Sequence, residues 1–265
     1  MNGPAATARP RALAAFSLGA VTVLCLSPVL AQEAAETQGP AGESRQADAL
    51  EDPQLSGSVS AGALVTSGNT ESESANLEVD AELEYAAWRH ALRVSGYHAA
   101  EEGQTTAEQY AFGLQSNYAF SERSYLFGSA VYARDRFGAF ERRASLAAGL
   151  GRRFLDTARL RLDLEAGAGR RMQDPAGTDD SETEAIGRFR GDFRWSFSAS
   201  GTFSQEVSVE SGDSNTYTES ISAVKSSLAG PFALRVAYTI QHNSDVPADA
   251  ENTDTITSLS LQYEF

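Results

Sequence analysis

From Ala75 to Tyr85 the chain alternates without a break. Ala75, Leu77, Val79, Ala81, Leu83 and Tyr85 hold the odd positions, and Asn76, Glu78, Asp80, Glu82 and Glu84 the even ones. Period two is the mark of a strand with one apolar and one wet face. The chain ends the same way, with Leu259, Leu261, Tyr263 and Phe265 alternating with polar residues. After Pro53 the pattern predicts twelve strands, near 55–66, 74–86, 88–98, 107–120, 124–136, 142–154, 159–171, 184–198, 202–211, 216–228, 232–243 and 254–265. A soluble sheet would hide its apolar face in a core. Here nearly every strand has such a face, and the wet faces are charged along their length. That pattern predicts an all-β fold, a transmembrane antiparallel up-and-down barrel of about twelve strands, apolar toward lipid and polar toward a lumen. Closure is required, because an open edge in hydrocarbon would leave backbone groups unpaired.

The connections alternate in character. Ala86–Ala87, Ser121–Arg123, Leu155–Ala158, Ala199–Gly201 and Ala229–Pro231 are short, whereas 67–73, 99–106, 172–183 and 244–253 read as longer, acidic loops. Short periplasmic turns and longer outer loops are usual in such barrels. With an even strand count, both termini fall on the periplasmic side. Pro40, Pro53, Pro175, Pro231 and Pro247 all fall between the predicted strands, as a ladder needing every N–H requires. Tyr85, Trp88, Phe120, Tyr125, Phe154, Trp195, Phe197, Phe232, Tyr263 and Phe265 gather near the short turns or the C-terminus, which predicts an interfacial aromatic girdle.

The N-terminus departs from this pattern. Arg9 and Arg11 precede an uncharged stretch from Ala12 to Ala31, and Val29-Leu30-Ala31 puts small residues at a cleavage position. Residues 1–31 read as a secretory signal, cut after Ala31, with a signal-anchor helix as the competing reading. Residues 32–53 lack periodicity and read as a flexible, acidic periplasmic tail, with the barrel occupying 54–265. The single cysteine, Cys25, lies in the signal, so the mature chain is expected to use no disulfide. A net charge of −15 argues against nucleic acid as a partner. Export and strands together predict the outer membrane of a Gram-negative cell.

The expected lumen charges fall into two groups. The second strand offers Glu78, Asp80, Glu82 and Glu84. The fifth to eighth offer Arg134, Arg136, Arg143, Arg153, Arg159, Arg161, Arg171, Arg188, Arg190 and Arg194 against Asp163, Glu165, Glu184 and Asp192. In a ring of about twelve strands these groups face one another, predicting an acidic wall opposite a basic one. Rings of charge set selectivity in water-filled pores. The same residues could instead pair and zip a small barrel shut.

His90, His98 and His242 share the parity of Leu92, Val94, Leu234 and Val236, so they are expected to point outward. A hydrolase would need a nucleophile beside a base. An outward pairing of Ser220 or Ser222 with His242 is the one such arrangement the pattern leaves open. No catalytic residue, cofactor or resident metal is assigned, and the protein is not expected to be an enzyme. The acidic loop residues, among them Glu71, Glu101, Asp179, Asp213 and Asp249, suit either divalent bridges to lipopolysaccharide phosphates or plain solvation.

Three segments carry a family resemblance: Thr66-Ser67-Gly68-Asn69-Thr70, Tyr132-Ala133-Arg134-Asp135-Arg136-Phe137 and Gly149-Leu150-Gly151-Arg152-Arg153-Phe154. On them residues 54–265 resemble the salt-induced outer-membrane proteins, catalogued as domain of unknown function 481. The resemblance implies an outer-membrane barrel with a loose link to osmotic stress and supplies no catalytic residues. Two functions are therefore expected in competition: a narrow, porin-like pore for small solutes, or an occluded barrel that supports the envelope under salt stress. Expected partners are outer-membrane lipids, lipopolysaccharide and, during biogenesis, the barrel-assembly machinery, which would read Leu261, Tyr263 and Phe265. A monomer is expected.

Overall fold

The computed structural model describes residues 52–67, 71–178, 180–248 and 250–265. The expected signal and nearly all of the tail lie outside them, as do Gly68, Asn69 and Thr70. The described residues contain twelve strands: β1 Gln54–Thr66, β2 Ser72–Tyr85, β3 Trp88–Glu101, β4 Gln104–Ala119, β5 Ser124–Asp135 and β6 Phe140–Asp156, then β7 Leu160–Pro175, β8 Glu182–Ser196, β9 Gly201–Ser211, β10 Thr216–Ser227, β11 Phe232–Asn243 and β12 Thr253–Glu264. Each pairs antiparallel with its chain neighbours, and β12 returns to β1, closing an up-and-down barrel. At the closing seam Gly57 and Phe265 exchange backbone hydrogen bonds of 2.9 and 3.0 Å, and the ladder runs from Ser58 opposite Glu264 to Ala61 opposite Leu261.

The two faces of the strands meet different environments. Leu77, Leu83, Phe112, Leu114, Leu126, Leu146, Leu150, Phe189, Val224, Val236, Leu259 and Leu261 stand exposed on the outside. An exposed apolar belt of this extent suits lipid rather than water. Near the end that carries Gln54 and Phe265, called here the terminal end, rings pack on one another. Trp88 lies 5.0 Å from Tyr118, Trp195 5.7 Å from Phe197 and Phe232 5.5 Å from Tyr263. One predicted member of this girdle is misplaced. Tyr125 is 6 % exposed and points inward, forming with Phe127 and Ala147 a small apolar core inside the barrel. Glycine makes the room, since a Cβ on Gly151 would come within 2.2 Å of the Tyr125 ring.

Two connections differ from expectation. The predicted loop 99–106 is absent: β3 and β4 continue toward a tight turn at Glu102 (φ 52°) and Gly103 (φ 77°). Positive φ at both central residues is the hairpin geometry whose twist matches the flanking strands. β7 continues to Pro175, so one proline ends a strand rather than lying between strands. A terminal position costs the sheet little, because proline lacks only a donor. In the second resemblance-bearing segment, Asp135 Oδ1 accepts from the amides of Phe137 (3.0 Å) and Gly138 (2.9 Å), closing the β5–β6 turn.

Candidate functional site

Inward residues follow from alternation, and they enclose a cavity of about 960 Å³. Its lining reaches from Arg194, Lys225 and Glu264 at the terminal end to Asp135, Gln241 and Asp254 at the opposite, loop end. It includes twelve carboxylates and nine cationic side chains, so the lumen leans acidic without being single-signed.

Three of the four predicted carboxylates of β2 enter this cavity in order. Glu78 meets Arg235 at 3.4 Å, Asp80 meets Arg93 at 2.8 Å, and Glu82 lines the wall. Glu84 is exposed at the terminal rim and does not line the cavity. Among the predicted arginines, Arg143, Arg161, Arg188, Arg190 and Arg194 line it. Arg153 and Arg161 converge on Asp163, at 3.1 and 3.0 Å. Arg143 reaches Asn243 at 3.2 Å and lies 3.5 Å over the Tyr217 ring.

Three predicted lumen arginines stand elsewhere. Arg134 hydrogen-bonds the outward Tyr110 at 3.2 Å, and Arg136 pairs with the exposed Glu108 at 3.1 Å. Both sit at the loop end of the wall and carry outward parity, so alternation places them outside the lumen. Arg159 is exposed in the β6–β7 turn. The expected opposition of an acidic and a basic wall is likewise corrected. Arg93 and Arg235, on β3 and β11, neutralise the β2 carboxylates. Asp163, Glu165, Asp192 and Glu206 sit among the arginines of β7 and β8. Carboxylate and guanidinium interleave because buried like charges would repel with little screening.

At mid-depth the pairs cross the lumen. Arg93 Nη1 on β3 lies 3.2 Å from Glu206 Oε2 on β9, six strands away in a ring of twelve. Glu206 also holds Arg190 Nη2 at 2.9 Å. Beside this bar, Gln115 on β4 donates to Glu165 at 2.7 Å and accepts from Arg190 at 3.4 Å. Glu165 and Arg188, 5 % and 6 % exposed, pair at 3.1 Å, with the Tyr125 hydroxyl donating to Glu165 at 3.0 Å and the Phe127 ring 5.1 Å beneath Arg188. Toward the loop end Arg171 is fully buried. It donates to the Glu210 carbonyl at 3.1 Å and the Asn215 carbonyl at 2.5 Å and pairs with Glu184 at 2.6 Å, tying β7 to the β9–β10 hairpin. Arg93, Gln115, Glu206 and Arg235 were not singled out from sequence. Their parity within β3, β4, β9 and β11 marks them as inward; their partners, up to 157 residues away, it does not.

Two of the outward histidines make polar contacts with hydroxyls. His90 stacks on Trp88 at 5.7 Å and contacts Ser116 Oγ at 2.9 Å, and His242 contacts Thr253 Oγ1 at 2.9 Å. Ser220 and Ser222 are held by Gln205 instead, so the open Ser–His pairing does not form.

Fold and lumen together define a transmembrane-type β-barrel with a charged interior. The chain belongs to the family described as "Protein of unknown function, DUF481", whose model matches residues 59–265. It is 34 % identical over 212 residues to "Uncharacterized protein YdiY" of Escherichia coli (strain K12), an alignment spanning 78 % of this chain and 82 % of that relative. Among solved structures it is similar to the NanC porin (TM-score 0.44, 11 % identity, 80 % of this chain and 98 % of that one). It is also similar to the KdgM porin in complex with disordered oligogalacturonate (TM-score 0.43, 11 % identity, 79 % and 99 %). Likenesses this distant carry no functional argument.

Proposed function

We propose that this protein is a narrow outer-membrane pore for small polar solutes, with both termini in the periplasm. The observation that carries the reading is the charge-bearing cavity whose walls run from one end of the barrel to the other. The excess of carboxylates over cations in its lining favours cations over anions, as charged rings do in other pores. The crossing pairs at mid-depth make the passage narrow. Purified protein in a planar bilayer should give unitary current steps with a modest cation preference.

A second reading is an occluded barrel that stiffens the envelope under osmotic stress. The buried Glu165–Arg188 pair and the fully buried Arg171 favour it, since such groups fix walls together. Absence of unitary steps at every salt concentration and voltage would select this second reading over the first.

A further inference from the structure

The bar across the lumen has an unusual property: each of its two ends keeps a local ion-pair partner. On the β3 side Arg93 Nε holds Asp80 Oδ1 at 2.8 Å. On the β9 side Glu206 holds Arg190 through two contacts, at 2.9 and 3.2 Å. Between these two local pairs the described residues make one link, Arg93 Nη1 to Glu206 Oε2 at 3.2 Å. Parting it leaves neither charge orphaned, which is where most of the cost of breaking a buried ion pair arises. The flanks of the bar are also spanned, by Gln115 to Arg190 on one side and Glu78 to Arg235 on the other. A solute moving along the lumen therefore meets the bar.

We infer that the Arg93–Glu206 link is a parting latch that serves as the selectivity element of the pore, and that small zwitterions are the solutes it passes best. This rests on the pore reading above. Once parted, the latch presents a guanidinium on one wall and a carboxylate on the other. A molecule carrying its own carboxylate and ammonium replaces the lost contact in kind, anion to Arg93 and cation to Glu206. An uncharged solute of the same size replaces neither. A simple ion replaces one and repels the other. The contacts are partly solvated, with the Arg93 side chain 41 % exposed, so the bound zwitterion is released again, as conduction requires.

The test uses the full mature chain reconstituted in liposomes, with swelling measured in isosmotic threonine and in isosmotic erythritol, a polyol with the same number of carbons. Threonine should enter about tenfold faster, equivalent to about 1.4 kcal/mol. Glu206→Gln, which preserves shape, and Arg93→Met should bring the two rates together by raising erythritol entry and slowing threonine. Equal rates in the wild-type protein overturn the latch and leave the pore intact, and that comparison needs no variant to fold. A wild-type preference that both folded variants retain also overturns it. Entry of neither solute removes the pore reading itself, and the latch with it.

Discussion

Glu165 is the residue whose loss should cost the barrel most. Its carboxylate is 5 % exposed and gathers three donors: Gln115 Nε2 at 2.7 Å, the Tyr125 hydroxyl at 3.0 Å and Arg188 Nη1 at 3.1 Å. Glu165→Ala leaves Arg188, itself 6 % exposed at the side chain, without its only carboxylate within ion-pair distance among the described residues. Removing one member of a buried pair costs about 3–5 kcal/mol, because the remaining charge stays desolvated. The Phe127 ring beneath Arg188 returns part of this, on the order of 1–2 kcal/mol for a desolvated cation over a ring face. A net loss of about 1–4 kcal/mol is expected. By contrast, Asp80→Ala breaks a pair whose side chains are 34–41 % exposed, which places it among surface pairs worth about 0.2–1 kcal/mol. The assay is reversible urea unfolding from lipid vesicles, followed by fluorescence of Trp88 and Trp195. The double variant Glu165→Leu with Arg188→Met should recover most of the loss, since a buried pair replaced by apolar groups is often neutral. A Glu165→Ala cost no larger than that of Asp80→Ala would refute the reasoning, because it would mean that water reaches this part of the lumen freely.

Other expectations follow from single contacts. Gly151→Ala places a Cβ 2.2 Å from the Tyr125 ring and should destabilise by about 1–3 kcal/mol, read in the same unfolding assay. Asp80→Ala combined with Glu82→Ala should leave the heat-modifiable gel shift unchanged and move the reversal potential in a salt gradient away from cation preference. Deleting Phe265 removes both backbone bonds to Gly57 and a ring of the girdle, so the folded fraction on unboiled gels should fall. N-terminal sequencing of membrane-extracted protein should begin at Gln32, whereas an intact Met1 would favour the signal-anchor reading.

The order, number and approximate bounds of the strands were legible in the chain because period two and turn chemistry are local properties. Alternation from Asn76 to Glu84 requires one face to be wet, whatever the rest of the chain does. The same alternation placed the β2 carboxylates and, among others, Arg143, Arg161, Arg188 and Arg190. Charge alone points Arg134 and Arg136 to the lumen, but they share the outward parity of Tyr132, and a strand end can carry an outward charge where water reaches both faces. The girdle expectation failed for Tyr125, because an aromatic near a short turn suits the girdle and an inner core equally, and Gly151 and Phe127 decide between them. The register shifts beside Phe140 and between Arg153 and Leu155 add a further irregularity that a strict period of two does not carry. What only the tertiary structure decided is who meets whom across the lumen. Arg93 and Glu206 lie 113 residues apart in the chain, and they touch because twelve strands close into a ring narrow enough for side chains from opposite walls to reach each other. Ring size and stagger are global quantities, set by all strands together, so no local pattern could contain them.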